Sequence, residues 1–144
     1  LFKKLNNLSK IPIRKVCFQI RSMMDHPSRL QLLHFLFGVA KADGIVLESE
    51  VIMINKIATY LGINISDFES IKAMFYEDID SAYRILEIKS TVSDQEIKKA
   101  YRRMAKKYHP DKVAHLGMEH QNGAEEKFKK VQEAYILIKK RRGI

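Results

Sequence analysis

The sequence predicts an all-α fold, and three observations support this. Apolar residues recur at three- and four-residue intervals along most of the chain, which is the period of a helix, and no convincing strand pattern interrupts them. The 144 residues include only 6 glycines and 3 prolines, too few turn formers for a fold of many short strands. A single cysteine excludes an internal disulfide and a zinc site built on cysteines.

Two helices are predicted near the start of the chain. The first covers residues 12–24, where Cys17 and Ile20 share one face. The second begins at Pro27 and is apolar on nearly every side, which predicts that it is buried. We interpret His34 within it as a core histidine with a local hydrogen bond, because an isolated histidine in an apolar helix is rarely a ligand.

The next helix follows an apolar stripe from Leu47 to Leu61. Ser66 and Glu69 then match the Ser-x-x-Glu capping box, which predicts that a short fourth helix begins at this serine and runs to about residue 76. Three acidic residues lack the ligand spacing of a calcium-binding loop and are interpreted as helix-capping residues. They are Asp43, Glu48 and Glu50.

An acidic joint at residues 77–80 marks the predicted boundary between two domains, 1–78 (core about 10–76) and 79–144. A short helix is expected to begin at Ile79. Ser93 and Glu96 form a second capping box, and the helix that they begin has one apolar face and one cationic face. The cationic face carries Lys98, Lys99, Arg102, Arg103, Lys106 and Lys107.

Pro110 ends this basic helix, because the residue before a proline avoids helical geometry. A last amphipathic helix is predicted over residues 124–139, and the two longer helices can pair as an antiparallel hairpin. The connection over residues 109–123 is long for such a pair, which favours a functional role. We expect this connection to be exposed at the tip of the hairpin.

The formal net charge of +9 is distributed unevenly. The net charge is +6 over residues 1–21, −4 over residues 22–78 and +7 over residues 79–144. An acidic middle argues against a surface that is uniformly suited to nucleic acid. Binding of nucleic acid through the basic helix alone is retained as the alternative function.

The basic start fits either a solvated surface or a stretch next to an anionic membrane. No run of eighteen apolar residues predicts a membrane span.

Residues 79–140 resemble the J-domain family of co-chaperones. The resemblance rests on residues 82–86, 97–105 and 128–135 and on the run Tyr108-His109-Pro110-Asp111-Lys112. It implies that the domain docks on a DnaK-type chaperone and stimulates its ATP hydrolysis, while being neither an enzyme nor a cofactor-binding protein itself. The residues that the resemblance assigns to the stimulating turn are His109, Pro110 and Asp111. Those assigned to docking are Tyr101, Lys98, Arg102, Arg103 and Lys106, whereas Lys99 and Lys107 are expected to be ordinary solvated side chains.

The first half resembles a TerB-like helical domain over about residues 10–76, through residues 37–44 and the pair Leu61-Gly62. A TerB-like domain that directly precedes a J-domain is the order of DjlA-type co-chaperones. This order implies that the first domain recruits a client or adaptor. It also implies a place in the bacterial cytoplasm, at the inner membrane if an anchor precedes Leu1.

Two departures from a minimal J-domain are expected to matter. Residues 113–120 form an insertion after the turn, and the usual fourth helix is absent or reduced.

A metal site is a further alternative, because four potential ligands lie close together in the sequence. They are His109, Asp111, His115 and His120, whose spacing matches no closed metal motif, so no metal site is predicted.

Overall fold

The computed structural model describes residues 12–42 and 44–144, and over these residues every regular element is helical, which confirms the predicted all-α fold. The α-helices are α1 (Ile13–Met23), α2 (His26–Lys41), α3 (Glu48–Tyr60), α4 (Ile65–Ala73), α5 (Ile79–Ile85), α6 (Asp94–Lys107) and α7 (Gln121–Arg142). Two 3-10 segments, Pro110–Leu116 and Met118–His120, connect α6 to α7. The basic residues Lys3, Lys4 and Lys10, and Asp43 of the weighed calcium loop, lie outside the described residues. None of the described helices is long and apolar enough to cross a membrane.

Helices α1 to α4 form the first half, and α2 supplies the centre of its core. Helix α2 begins at His26, one residue before the predicted start at Pro27, and its N-cap Asp25 accepts a hydrogen bond of 2.9 Å from the backbone N–H of Ser28. Phe37 is fully buried between Phe68 and Phe75, each with a ring-centroid distance of 5.6 Å. Helix α2 is largely buried, as predicted from its apolar faces, but Phe35 at one edge is 51% exposed.

The capping predictions have mixed outcomes. Glu50 caps α3, because its carboxylate accepts a 3.0 Å hydrogen bond from the backbone N–H of Leu47. The prediction that α4 begins at a capping box on Ser66 is wrong: the N-cap is Asn64, whose side chain accepts from the N–H of Asp67 at 2.8 Å. The prediction for α6 is confirmed at Ser93, whose hydroxyl accepts from the N–H of Glu96 at 3.2 Å.

Helix α5 joins the two halves of the molecule. Its N-cap is Asp78 in the acidic joint, and α5 packs against both α4 and α7. The side chains of Ala82, Ile85 and Leu86 are buried in one hydrophobic cluster that continues from the core of the first half into that of α6 and α7. The two halves therefore share one core rather than being joined by an exposed linker.

Helices α6 and α7 pair antiparallel, as the sequence predicts. Asp94 at the start of α6 bonds Arg142 near the end of α7, whereas Tyr101 stacks on Tyr135 in the middle of the pair. Helix α7 begins at Gln121, three residues before the predicted start, and ends at Arg142, where Gly143 follows it with φ 72°. The connection between the helices is thus shorter than expected and consists largely of 3-10 turns.

Candidate functional site

The turn formed by His109, Pro110 and Asp111, called here the His-Pro-Asp turn, follows directly on α6. His109 has φ −60° and ψ 134°, the extended geometry that a following proline imposes, and Pro110 begins the first 3-10 segment. The backbone N–H of Asp111 donates to Nδ1 of His109 at 3.2 Å, so the neutral ring carries its proton on Nε2. This local bond fixes the imidazole, while the Asp111 side chain is 90% exposed and points to solvent.

A shallow depression lies beside the turn. The ring of His109 meets the ring of Phe128 on α7 edge to face, with the centroids 5.4 Å apart. A cavity of 480 Å³ is lined by these two rings, by Lys106 and by the side chain of Asp111, together with Ala105 and Lys112. Both the carboxylate and the imidazole are thus open to a partner that contacts α6 and α7 together.

The cations of α6 divide into two groups. Lys98, Arg102 and Lys106 are exposed, and none of them has a hydrogen bond or ion pair to another described residue. Their spacing of four residues places them along one stripe of the helix surface, on the side that leads to the His-Pro-Asp turn. Arg103 is also exposed, but its guanidinium donates to the carbonyl oxygen of Leu86 at 3.4 Å.

The expectation that Lys107 is an ordinary solvated side chain is wrong. Its ammonium pairs with the buried carboxylate of Asp67 and lies 3.0 Å from Glu87 Oε2. Burial lowers the pKa of Lys107, but hydrogen bonds and charge attraction from the two carboxylates outweigh burial and raise it above its ordinary value. Lys99, in contrast, is exposed, in line with the prediction.

Tyr101 has a packing role as well as an exposed edge. Its ring stacks on Tyr135 with a centroid distance of 4.2 Å and an interplanar angle of 6°. The residue is only half-buried, so this stacked pair forms part of the surface next to Arg102. The position of Tyr101 is therefore compatible with the docking role that the resemblance implies.

The insertion after the turn is largely exposed, in line with the expectation, but its first 3-10 segment also contacts α2. Val113 is 3% exposed, and Nε2 of His115 shares a 2.9 Å hydrogen bond with the hydroxyl of Ser28. Gly117 joins the two 3-10 segments with φ 90° and ψ 178°, a conformation essentially restricted to glycine. The partners of this segment lie more than eighty residues away, so no local sequence signal could have identified them.

A buried lysine on α7 also escaped the sequence analysis. Lys127 is 3% exposed, and its ammonium donates to Oε1 of Gln31 at 2.8 Å and lies 5.3 Å from the ring centroid of Tyr108. Burial lowers the pKa of Lys127 to about 8. Gly123 lets α7 approach α2 here, because a Cβ at this position would lie 2.8 Å from Nε2 of Gln31.

A larger groove lies in the first half. It has a volume of 760 Å³, and among the described residues its lining comes from α1, α3 and Pro12. Phe18 and Tyr60 form its aromatic part, and Arg14, Lys15 and Lys56 supply three cations without any carboxylate in the described lining.

No cluster of three or more His, Cys, Asp or Glu side chains in residues 12–42 and 44–144 is placed to hold a metal ion. Of the four side chains weighed as ligands, His115 pairs with Ser28 and Asp25, and the ring of His120 lies against Phe35.

Comparison with known families agrees with the two resemblances. Residues 3–73 match the family model of the tellurite resistance protein TerB, and residues 81–142 match that of the DnaJ domain. No solved structure matches the chain.

The curated relatives are similar over the second half. The chain is 52% identical over 56 residues to the chaperone protein DnaJ of Lactobacillus acidophilus, a match that covers 39% of this chain and 13% of that protein. It is 55% identical over 56 residues to DnaJ of Erysipelothrix rhusiopathiae, covering 39% and 14%. DnaJ of Fusobacterium nucleatum is 48% identical over 56 residues, with the same coverage. The chain therefore spans only a small part of the length of these relatives. The family models thus find a TerB domain over residues 3–73, followed by a DnaJ domain over residues 81–142.

Proposed function

We propose that this chain is a co-chaperone that docks on a DnaK-type chaperone and stimulates its ATP hydrolysis. The observation that carries the proposal is the exposed Asp111 carboxylate on a constrained turn, next to the exposed cations of α6. A charge-assisted hydrogen bond from this carboxylate to a cationic group on the chaperone is stronger than a neutral one. The chain itself performs no chemistry in this proposal: it stabilises a conformation of the chaperone in which hydrolysis is faster.

The cations Lys98, Arg102 and Lys106 are proposed to guide docking. Exposed charges of one sign accelerate the encounter with an acidic surface, and their effect decreases with salt. Arg103 and the stacked pair of Tyr101 and Tyr135 lie on the adjoining surface and are proposed to add contacts. Lys107 is held in ion pairs with two carboxylates, so the ammonium of this lysine is not free to contact the phosphates of a nucleic acid. This pairing supports a protein partner over a nucleic acid.

The first half is proposed to recruit a client or adaptor. Among the described residues, its groove between α1 and α3 shares no lining residue with the depression beside the His-Pro-Asp turn, which supports simultaneous occupation of both. Its exposed aromatic ring and three cations suit a partner with apolar and acidic side chains. The DjlA-type domain order supports action in the bacterial cytoplasm, where DnaK-type chaperones are found.

The decisive variant is Asp111→Asn, which removes the charge and preserves the shape of the side chain. In single-turnover ATP hydrolysis by a bacterial DnaK, we expect the parent chain to accelerate hydrolysis and Asp111→Asn to abolish the acceleration. The matched control is Glu119→Gln, which removes an exposed carboxylate from the same connection and should stimulate like the parent. Circular dichroism of both variants should show unchanged helix content. Full stimulation by Asp111→Asn would exclude the proposed role of this carboxylate.

A further inference from the structure

The His-Pro-Asp turn is held from both sides by the first half of the molecule. The two residues before the turn, Lys107 and Tyr108, contact α4, and the 3-10 segment after it contacts α2 and bonds it through His115. The turn therefore has attachments on both sides, although the side chain of Asp111 within it is exposed to solvent.

The first attachment is an ion-pair cluster around Asp67. This carboxylate is 2% exposed and accepts hydrogen bonds from the ammonium of Lys107 and, at 3.0 Å, from Nε2 of His26. Glu87 completes the cluster: it accepts from Lys107 and, at 2.6 Å, from the hydroxyl of Ser66. Glu87 has φ 57°, a left-handed conformation that costs free energy for a residue other than glycine and persists where the surroundings impose it.

The second contact belongs to Tyr108, which immediately precedes the turn. The residue is 1% exposed, and its hydroxyl donates to Oγ of Ser70 at 3.1 Å. Ser70 in turn donates to the carbonyl oxygen of Ile85 at 2.8 Å. This series of hydrogen bonds links the end of α6 to α4 and α5, and it is entirely buried.

The third attachment lies beyond the turn. Nε2 of His115 lies 2.9 Å from Oγ of Ser28 and 3.5 Å from Oδ2 of Asp25, both at the start of α2. Further along α2, Gln31 accepts from the buried ammonium of Lys127 on α7. Helix α2 thus contacts both the 3-10 segment that leaves the turn and the helix that follows it.

We propose that the first half acts as a positioning element for the His-Pro-Asp turn, with Asp67 and Ser70 as positioning residues. The proposal rests on the proposed chaperone docking and adds to it a role for residues that touch no partner. A turn that already has its docked conformation loses less conformational entropy on binding. When only a fraction of the molecules has the competent conformation, the apparent dissociation constant increases by the inverse of that fraction. The first half therefore tightens docking without contributing to the docked surface.

The test uses the full chain with Asp67→Asn and, as a milder change, Ser70→Ala, which leaves the hydroxyl of Tyr108 without its acceptor. The control is Glu69→Gln, which removes a carboxylate from the same helix but makes no contact with Lys107. Hydrogen exchange of the free chain should be faster by about fivefold for residues 108–117 in Asp67→Asn and Ser70→Ala, the effect of losing one buried hydrogen bond. Residues of α1 and α3 should keep their protection.

The same variants are then titrated into the single-turnover hydrolysis assay. We expect the concentration for half-maximal stimulation to rise in Asp67→Asn and Ser70→Ala, by up to about fivefold because the loss of one hydrogen bond limits the fall in the competent fraction, while the rate at saturation stays that of the parent. A lower saturating rate with unchanged half-maximal concentration would contradict the proposal. So would unchanged exchange at residues 108–117, or faster exchange spread evenly over the chain, which indicates a loss of global stability. If the parent fails to stimulate hydrolysis, the docking proposal is wrong, whereas hydrogen exchange still decides whether the first half orders the turn.

Discussion

At the scale of single residues, His34 shows how burial makes a common side chain sensitive to pH. It is 6% exposed as the sequence predicts, but it packs on the ring of Phe75 at 5.1 Å, and no hydrogen bond links its ring to another described residue. Burial, with the charge of Lys127 nearby, lowers the pKa of His34 to about 4. The unfolded chain binds a proton at this histidine near pH 6.5 and the folded chain does not.

We therefore expect the folded state to lose stability as the pH falls from 6.5 towards 4. The histidine's contribution is fully present above pH 6.5, and the loss amounts to about 3 kcal/mol at most. Urea unfolding at pH 7, 5.5 and 4.5 measures it, and His34→Gln should flatten the pH dependence. The control, His120→Gln, replaces a less buried histidine and should keep the parent's slope. An unchanged slope in His34→Gln would assign the acid sensitivity to other groups.

Predictability at this scale depends on how far apart the interacting residues are in the sequence. The geometry of His109 follows from the next residue, a proline, and was predictable. The pairing of Lys107 with Asp67 spans forty residues, and that of Lys127 with Gln31 spans ninety-six. A lysine in a basic run looks solvated unless the fold places a carboxylate beside it, and the sequence alone does not contain that information.

At the scale of elements, helix α6 presents its cations on a surface that leads to the His-Pro-Asp turn. We expect Lys98→Glu, Arg102→Glu and Lys106→Glu each to raise the half-maximal concentration for chaperone stimulation by about threefold at low salt, typical of an exposed charge at the rim of an interface. The difference should shrink as salt is added, because exposed charges are screened. The saturating rate should not change.

The control for these variants is Lys140→Glu, which changes the net charge equally at an exposed position on α7. An equal effect of Lys140→Glu would show that only net charge matters. Filter binding of duplex DNA at physiological salt tests the alternative function. Tight binding that all three α6 variants abolish would favour nucleic acid over a chaperone.

Helix starts illustrate what the sequence can and cannot decide about elements. Asn64 and Ser66 both lie in patterns that can cap α4, and local geometry alone does not choose between them. In the structure Asn64 caps the helix and Ser66 donates to Glu87, a residue beyond the domain boundary. At α6 the predicted residue Ser93 is the N-cap, and its hydroxyl accepts from the backbone N–H of Glu96.

At the scale of the whole molecule, the continuous core predicts cooperative unfolding of the two halves. Leu33→Ala opens a cavity in the fully buried core of the first half and should cost about 3 kcal/mol. Because the core continues through α5, we expect hydrogen exchange to accelerate in α6 as well as in α2, with a single urea transition at a lower midpoint. Ile52→Ala, at a position that is 63% exposed, is the control and should leave the midpoint nearly unchanged. A second half that keeps its own transition midpoint would contradict this cooperativity.

The buried contacts between the halves also define the geometry of any assembly built on this chain. Modules on a flexible linker meet at an effective concentration that depends on the length of the linker. Here Tyr108 and Lys127 join the halves directly, so the direction of α6 relative to α1 depends on side-chain packing. A protein held in the groove of the first half would meet a docked chaperone at one separation and from one side. The molecule would thus act as a spacer of defined length and orientation, which selects partners by their shape as well as by their affinity.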